Sequence, residues 1–297
     1  MKLNTVLTLM MVALASPLLA GETVDRTLPA NQEVEVMVEN IAGEVIVETW
    51  GRNEVRILAN LGDDVEELEI EGDEDGYSFV VETDDERGWG RRNNREIASD
   101  LHLWVPVGSF VQTETVSASN SVSGVQGGLE VESVSGDVEL LGVGGGIEAE
   151  TVSGGLHVEA TGGSVSAEAV SGKVNVSGAS GEIYAASVSG AVNVSGSAEH
   201  ELNLETVSGS ITFEGSLASG AEVEAESVSG SIKLVLPAGL AADFEIETFS
   251  GTIDSDFGGT AERHSKYAPG QSLSYSTGSD VEISIETLSG SVSLVSR

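Results

Sequence analysis

From residue 114 onward, apolar and polar positions alternate in short bursts, and each burst ends on the same five-residue phrase. It reads Glu132-Ser133-Val134-Ser135-Gly136, Glu150-Thr151-Val152-Ser153-Gly154, Glu168-Ala169-Val170-Ser171-Gly172 and Ala186-Ser187-Val188-Ser189-Gly190. Later copies start at Glu205, Glu226, Glu247 and Glu286 and close on Gly209, Gly230, Gly251 and Gly290; an earlier one, Glu114 to Ala118, puts alanine in the last place. Closing positions 118, 136, 154, 172 and 190 lie 18 apart, and the later spacings are 19, 21, 21 and 39. A fixed period of this kind marks a repeat architecture in which each unit buries its apolar row only against its neighbours. The widening steps read as a coil that grows and then takes one long insertion.

Each period holds two alternating segments with glycine-rich turns between them, and segments this short leave no room for a crossover helix. The reading is an all-β fold, a β-solenoid of about 18-residue coils with two short strands per coil. One strand stacks Val138/Leu140, Leu156/Val158, Val174/Val176, Val192/Val194, Ile211/Phe213 and Ile232/Leu234 in successive rungs. The other stacks Leu129/Val131, Ile147/Ala149, Val165/Ala167, Ile183/Ala185, Leu202/Leu204, Val223/Ala225 and Phe244/Ile246. An antiparallel β-sandwich is the alternative, but hairpins would not need the same corner residues at every turn. Residues 106–297 form the repeat region, continuous with a less regular region, 21–105, that caps it. In that cap Gly43 to Glu48 pairs with Val55 to Ala59 around Trp50-Gly51-Arg52-Asn53, and Leu68–Glu71, Tyr77–Glu82 and Leu101–Val105 supply further strands. Two excursions, 84–99 and about 258–272, interrupt the strands.

Inside the phrase three features bear on function. The closing glycines, Gly136, Gly154, Gly172, Gly190, Gly209, Gly230, Gly251 and Gly290, are expected at sharp corners with positive φ. Strict alternation back from Ile147 and Ala149 buries Thr151 and leaves Val152 outside, so either a bulge turns the valine inward or a valine stripe lies exposed; the sequence leaves both open. The opening glutamates form a row at about 4.8 Å spacing, which makes Glu132, Glu150, Glu168, Glu205, Glu226 and Glu247 candidate divalent-cation ligands on what is otherwise a solvated acidic face.

The N-terminus and the charge narrow the setting. Residues 1–20 carry Lys2, an apolar run from Val6 to Ala15 and small residues up to Ala20, the pattern of a secretory signal peptide. The chain has 13 basic and 49 acidic residues, a net charge of −36, which disfavours nucleic acid and anionic lipid as partners. It has no cysteine, hence no disulfide, thiolate metal site or thiol nucleophile. Four of the 13 basic residues, Arg87, Arg91, Arg92 and Arg95, cluster beside Trp89 in the first excursion, a candidate grip on an anionic glycan or on another copy's acidic face. Arg263, His264, Lys266 and Tyr267 place a smaller group in the second.

Catalytic patterns are scarce. His102, His157, His200 and His264 are far apart in sequence, no G-x-S-x-G occurs, and Gly144-Gly145-Gly146 reads as a turn rather than a calcium repeat. A polysaccharide lyase on a β-helix is the enzymatic alternative, but between Val111 and Phe257 the only basic side chains other than histidine are Lys173 and Lys233. The expectation is a chain that is not an enzyme and uses no cofactor.

Several short motifs, taken in order, resemble the bacterial putative-adhesin family of β-strand-repeat domains, toastrack-like solenoids of unknown function. They are Asn40-Ile41-Ala42-Gly43, Leu101-His102-Leu103-Trp104-Val105-Pro106-Val107-Gly108, the repeated Thr-x-Ser-Gly corners, and Leu236-Pro237-Ala238-Gly239 ahead of the Phe244 strand. The resemblance implies a β-solenoid of the bacterial envelope with an adhesive or scaffolding role and no catalytic residues. Two functions from different classes follow: an adhesin-like or scaffolding module whose long face meets an envelope protein, a glycan or another copy of itself, and a periplasmic accessory or sensor domain in an envelope-stress pathway.

Overall fold

The computed structural model describes residues 21, 23–83, 97–263 and 270–297. The first six strands are β1 (Thr23–Pro29), β2 (Glu35–Trp50), β3 (Glu54–Asn60), β4 (Val65–Asp73), β5 (Gly76–Thr83) and β6 (Ser99–Pro106), followed by a long β7 (Phe110–Ser123). The regular coils supply β8 (Gly128–Ser135), β9 (Val138–Val143), β10 (Ile147–Ser153), β11 (Leu156–Ala160), β12 (Val165–Ser171) and β13 (Val174–Ala179). They continue as β14 (Ile183–Ser187), β15 (Val192–Ala198), β16 (Glu201–Ser208), β17 (Ile211–Leu217), β18 (Glu222–Ser229) and β19 (Ile232–Leu236). The last six are β20 (Ala242–Ser250), β21 (Ile253–Ser255), β22 (Glu262–Arg263), β23 (Gln271–Ser276), β24 (Val281–Ser289) and β25 (Val292–Ser296).

Every coil from β8 to β19 contributes one strand to each of two sheets, and all these neighbours are parallel. In the first sheet Leu129 lies against Ile147, Ile147 against Val165, Val165 against Ile183 and Ile183 against Leu202. In the second, Val138, Leu156, Val174, Val192, Ile211 and Ile232 follow one another. Parallel ladders in this register exclude the antiparallel sandwich and give the all-β solenoid. The inward rows of both sheets are buried in one continuous core that runs the length of the stack. Alternation places them there: one face of each strand packs on the other sheet and the opposite face meets solvent.

The sequence order of coils fails at the C-terminus. β24 pairs with β18 on one side and β20 on the other, and β25 sits likewise between β19 and β21. The final coil is therefore wedged between two earlier ones, with Ile283 separating Val223 from Phe244. The expected Val223–Phe244 rung contact and a single long insertion in the last coil are both corrected. Because every coil carries the same phrase, any coil edge accepts any other in register, so repetition alone does not say which one it receives. The N-terminal cap is corrected too. β3 pairs with β6 and β1, antiparallel, while β2 pairs with β5 and β6 on one side and β7 on the other, all parallel. β2 is a full rung of the stack. Beyond it the antiparallel pairs β4–β5 and β1–β3–β6 turn the strand direction over, and at the far end β23 lies antiparallel on β20. Antiparallel strands at both ends interrupt an edge that would otherwise accept another parallel coil.

The two glycine corners rest on different physics. Between the sheets, Gly154, Gly172, Gly190, Gly209, Gly230, Gly251 and Gly290 do not have positive φ, contrary to expectation; of the predicted corners only Gly136 does, at 154°. What demands glycine there is proximity. A Cβ on Gly154 would lie 2.0 Å from the Gly136 carbonyl oxygen, one on Gly172 1.8 Å from that of Gly154, and one on Gly190 1.9 Å from that of Gly172. The column continues through Gly209, Gly230 and Gly290 to Gly251, each against the carbonyl of the coil before it in space. Positive φ belongs to the opposite corner, where Gly145 (79°) and Gly163 (86°) reverse the chain between coils.

Candidate interaction groove

Residue 133 in β8, 151 in β10 and their counterparts point inward: Thr115, Ser133, Thr151, Ala169, Ser187 and Thr206 are all buried. At three rungs the hydroxyl bonds to a corner glycine across coils, while those of Ser133, Thr151, Ser227 and Thr287 are buried without a partner. Ser187 Oγ donates to the Gly172 carbonyl at 3.0 Å, Thr206 Oγ1 to that of Gly190 at 3.3 Å and Thr248 Oγ1 to that of Gly290 at 3.2 Å, each tying a corner to the adjacent coil. With no bulge in these ladders up to the corner, the next residue faces out. Val116 is 46% exposed, Val152 49%, Leu288 54% and Phe249 66%, with Val134, Val170, Val188, Val207 and Val228 close to the same value. The alternative left open by the sequence is thus decided: the valine stripe lies outside.

Two residues earlier on the same face stand the glutamates. Glu132, Glu150 and Glu168 are in register, Ala186 interrupts them, and Glu205, Glu226, Glu286 and Glu247 resume in that spatial order. At the other end Glu114 lies beside Glu39, because Glu39-Asn40-Ile41-Ala42-Gly43 in β2 is a further copy of the phrase. Sequence reading missed it because asparagine and isoleucine stand where serine or threonine and valine stand elsewhere; the spacing from glutamate to glycine was the available signal. The carboxylate column and the apolar column form the sides of one continuous groove of about 970 Å³, floored by the Ser/Thr positions and running from Glu39 and Ile41 to Glu247 and Phe249.

The carboxylates press on each other. Burial, then Glu150 and Glu205, push the Glu168 carboxyl above the ordinary glutamate range. Burial again comes first at Glu114, followed by Glu39 and Glu132, and at Glu226, followed by Glu224 and Glu286. Tyr184, two residues before Ala186, stands beside the gap in the column, and its phenol is pushed up by burial and by Glu168 and Glu205. Among the described residues no group of three or more His, Asp or Glu side chains is set to hold a metal ion. The six candidate cation ligands stand as a ladder, one carboxylate per rung, with Glu286 between Glu226 and Glu247.

The other predicted site residues fare differently. Arg87, Trp89, Arg91, Arg92 and Arg95 lie outside the described residues, as do His264, Lys266, Tyr267 and residues 1–20. Of the described histidines, His102 is stacked on Trp104 at 3.8 Å and paired with Glu48 at 2.9 Å. Trp104 also carries the Arg56 guanidinium at 5.1 Å, itself held by two hydrogen bonds to Asp25. These rings and charges pack on one another across β6, β3 and β1. His157 faces Glu159 at 3.4 Å on the outside of β11, far in sequence and in partner from His102. No helix among the described residues is long and apolar enough to cross a membrane.

No protein-family model and no curated protein sequence matches the chain. Among solved structures it is similar to a putative cell adhesion protein from Clostridium sporogenes, at 9% identity over 93% of this chain and 99% of that one, with a TM-score of 0.27. It is also similar to a putative adhesin from Parabacteroides distasonis (11% identity, 93% and 98% covered, TM-score 0.37). A third similar structure is a putative lipid binding protein from the same organism (14% identity, 93% and 97% covered, TM-score 0.36).

Proposed function

We propose that the chain is a non-catalytic, exported protein of the cell envelope, an adhesin-like solenoid that holds its partner along the Glu/Val groove. One observation carries this reading. A continuous groove of about 970 Å³ presents the same glutamate and the same exposed aliphatic residue in coil after coil. Long contiguous apolar strips on a soluble surface mark interaction sites, and a uniform ladder offers many equivalent weak contacts rather than one reacting centre. Among the described residues the groove lining holds no histidine, lysine or arginine to complement its carboxylates. Export rests on the signal-like first twenty residues.

The test is attachment. Purified protein carrying Val134→Ser, Val152→Ser, Val170→Ser and Val188→Ser keeps its fold, since all four side chains are half exposed. Losing apolar contact at each is worth on the order of 1 kcal/mol on a partner that covers them. Binding to envelope fractions of the source cells is expected to fall at least about tenfold. Unchanged binding refutes the groove as the contact surface. Fractionation of cells expressing the full chain then separates a surface adhesin from a periplasmic accessory protein.

A further inference from the structure

We infer that the groove accepts an extended polypeptide segment in which cationic and apolar side chains alternate. This rests on the groove being the contact surface and goes further by naming what lies in it. Its two sides differ in chemistry and run parallel along the stack, because Glu150 and Val152, and their counterparts in every coil but that of Ala186, are offset by two residues on one outward face. A ligand laid along the axis meets both sides at once. An extended chain sends successive side chains to opposite sides, so one series faces the carboxylates and the other the valines.

The dimensions agree. Ten rungs at about 4.8 Å span roughly 43 Å, a distance an extended chain covers in about 13 residues at 3.3 Å each. The carboxylate and aliphatic columns stand two residues, about 6.6 Å, apart along each strand, a separation that the side chains of one extended backbone, pointing to opposite sides, reach at the same time. Charge selects the sign. Carboxylates at Glu114, Glu168 and Glu226 repel their neighbours in a partly buried setting, and an ammonium or guanidinium between rungs relieves that repulsion. A neutral glycan leaves the carboxylates uncompensated and, among the described residues of the lining, finds only Tyr184 and Phe249 as rings to stack on. A second copy of the chain would bring a second acidic ladder to the first.

The experiment uses the purified full chain and fluorescein-labelled twelve-residue peptides read by anisotropy: alternating Lys-Val, alternating Lys-Ser and alternating Glu-Val. Lys-Val is expected to bind one to one, Lys-Ser at least tenfold more weakly, and Glu-Val not at all. Val152→Ser with Val170→Ser and Val188→Ser is expected to bring Lys-Val down to the Lys-Ser level without changing Lys-Ser. Glu150→Gln with Glu168→Gln and Glu205→Gln is expected to weaken both cationic peptides at least tenfold. Equal binding of Lys-Val and Lys-Ser, insensitivity to either variant, or binding of a neutral oligosaccharide in place of the peptides overturns the inference. If the serine variants abolish attachment to envelope fractions while no peptide binds, the contact surface stands and its occupant is wrong. If peptides bind as expected while attachment is unaffected, the inference stands and the adhesive use of the groove falls.

Discussion

Replacing Gly172 by alanine puts the close-approach account of the inter-sheet corner to a quantitative test. The new Cβ would lie 1.8 Å from the Gly154 carbonyl oxygen and 2.8 Å from its carbon, both backbone atoms of a paired coil. Ordinary contact needs about 3.5 Å, so the coils must part locally by roughly 1.5 Å out of a strand spacing of 4.8 Å. The neighbouring bond from the Gly154 N–H to the Ser171 carbonyl, already 3.3 Å, does not survive such an opening. Overpacking of a tight site costs about 1–3 kcal/mol and a lost hydrogen bond about 1 kcal/mol, giving about 2–4 kcal/mol together. Two comparisons isolate the cause. Gly146 has no atom within 4 Å of its would-be Cβ and no positive φ, so Gly146→Ala is expected to be neutral or slightly stabilising. Gly142 is equally open but has φ of 62°, so Gly142→Ala pays only the conformational term, about 1 kcal/mol. Urea unfolding followed by circular dichroism should rank the three with Gly172→Ala the least stable and Gly146→Ala the most. A Gly172→Ala protein within 0.5 kcal/mol of the parent (roughly the scatter expected of neutral surface changes) would mean that the column of glycines does not close the corner as described.

Two further predictions follow from the site and the topology. Burial first, and then the neighbouring glutamates, hold Glu114, Glu168 and Glu226 above the ordinary carboxylate range in the folded chain, so the native state binds protons more readily than the unfolded one; the cost of their buried, crowded charges is fully present above the folded values and is relieved as pH falls through them toward the ordinary range. The melting temperature should therefore rise over that window, Glu168→Gln should reduce the rise, and a melting temperature that falls throughout it would contradict the stacked carboxylates. Ending the chain after Thr277 removes β24 and β25, which lie inside the stack. Proteolysis should then release or degrade β20 to β23 while leaving β7 to β19 protected, whereas uniform protection of 242–276 would show that the final coil is not wedged between its neighbours.

The repeat, the parallel strands and nearly every inward position were legible because they depend on local alternation, and each coil states the pattern afresh. Leu156, Val174 and Val192 stand on one another as the 18-residue spacing requires. What was not legible depends on comparison between coils that are locally alike. Gly290 meets the Gly230 carbonyl and Gly251 meets that of Gly290 with the same crowding, so no residue marks where the last coil enters. The corner glycines misled for a related reason: a glycine at a bend is compatible with positive φ or with a crowded neighbour, and only the position of the adjacent carbonyl distinguishes them. At the N-terminus, the partner of Gly43 to Glu48 was sought in the nearest strand, whereas Val45 and Val47 pair with Leu101 and Leu103, more than fifty residues away.

The valine column is where fold and function separate. At the inward position of the phrase the hydroxyls of Ser187, Thr206 and Thr248 are useful to the fold, since each reaches the carbonyl of a corner glycine in the adjacent coil, and glycine leaves that carbonyl open to it. At the closing position the spacing of backbones demands glycine from Gly136 through Gly290 to Gly251, and only the rung of Ala118 accommodates a methyl group. The residue that follows the inward position, Val152 and its counterparts, is under neither demand. An outward strand position tolerates polar residues, as Glu148, Ser166, Tyr184, Asn203 and Glu224 show by differing from coil to coil at one equivalent outward place. Yet the position two residues after the glutamate is Ile, Val, Leu or Phe in every rung from Ile41 to Phe249, at a cost in exposed apolar surface that the solenoid does not require. A feature that the core does not need, the corner does not need and neighbouring outward columns do not share is best explained by something that lies against it.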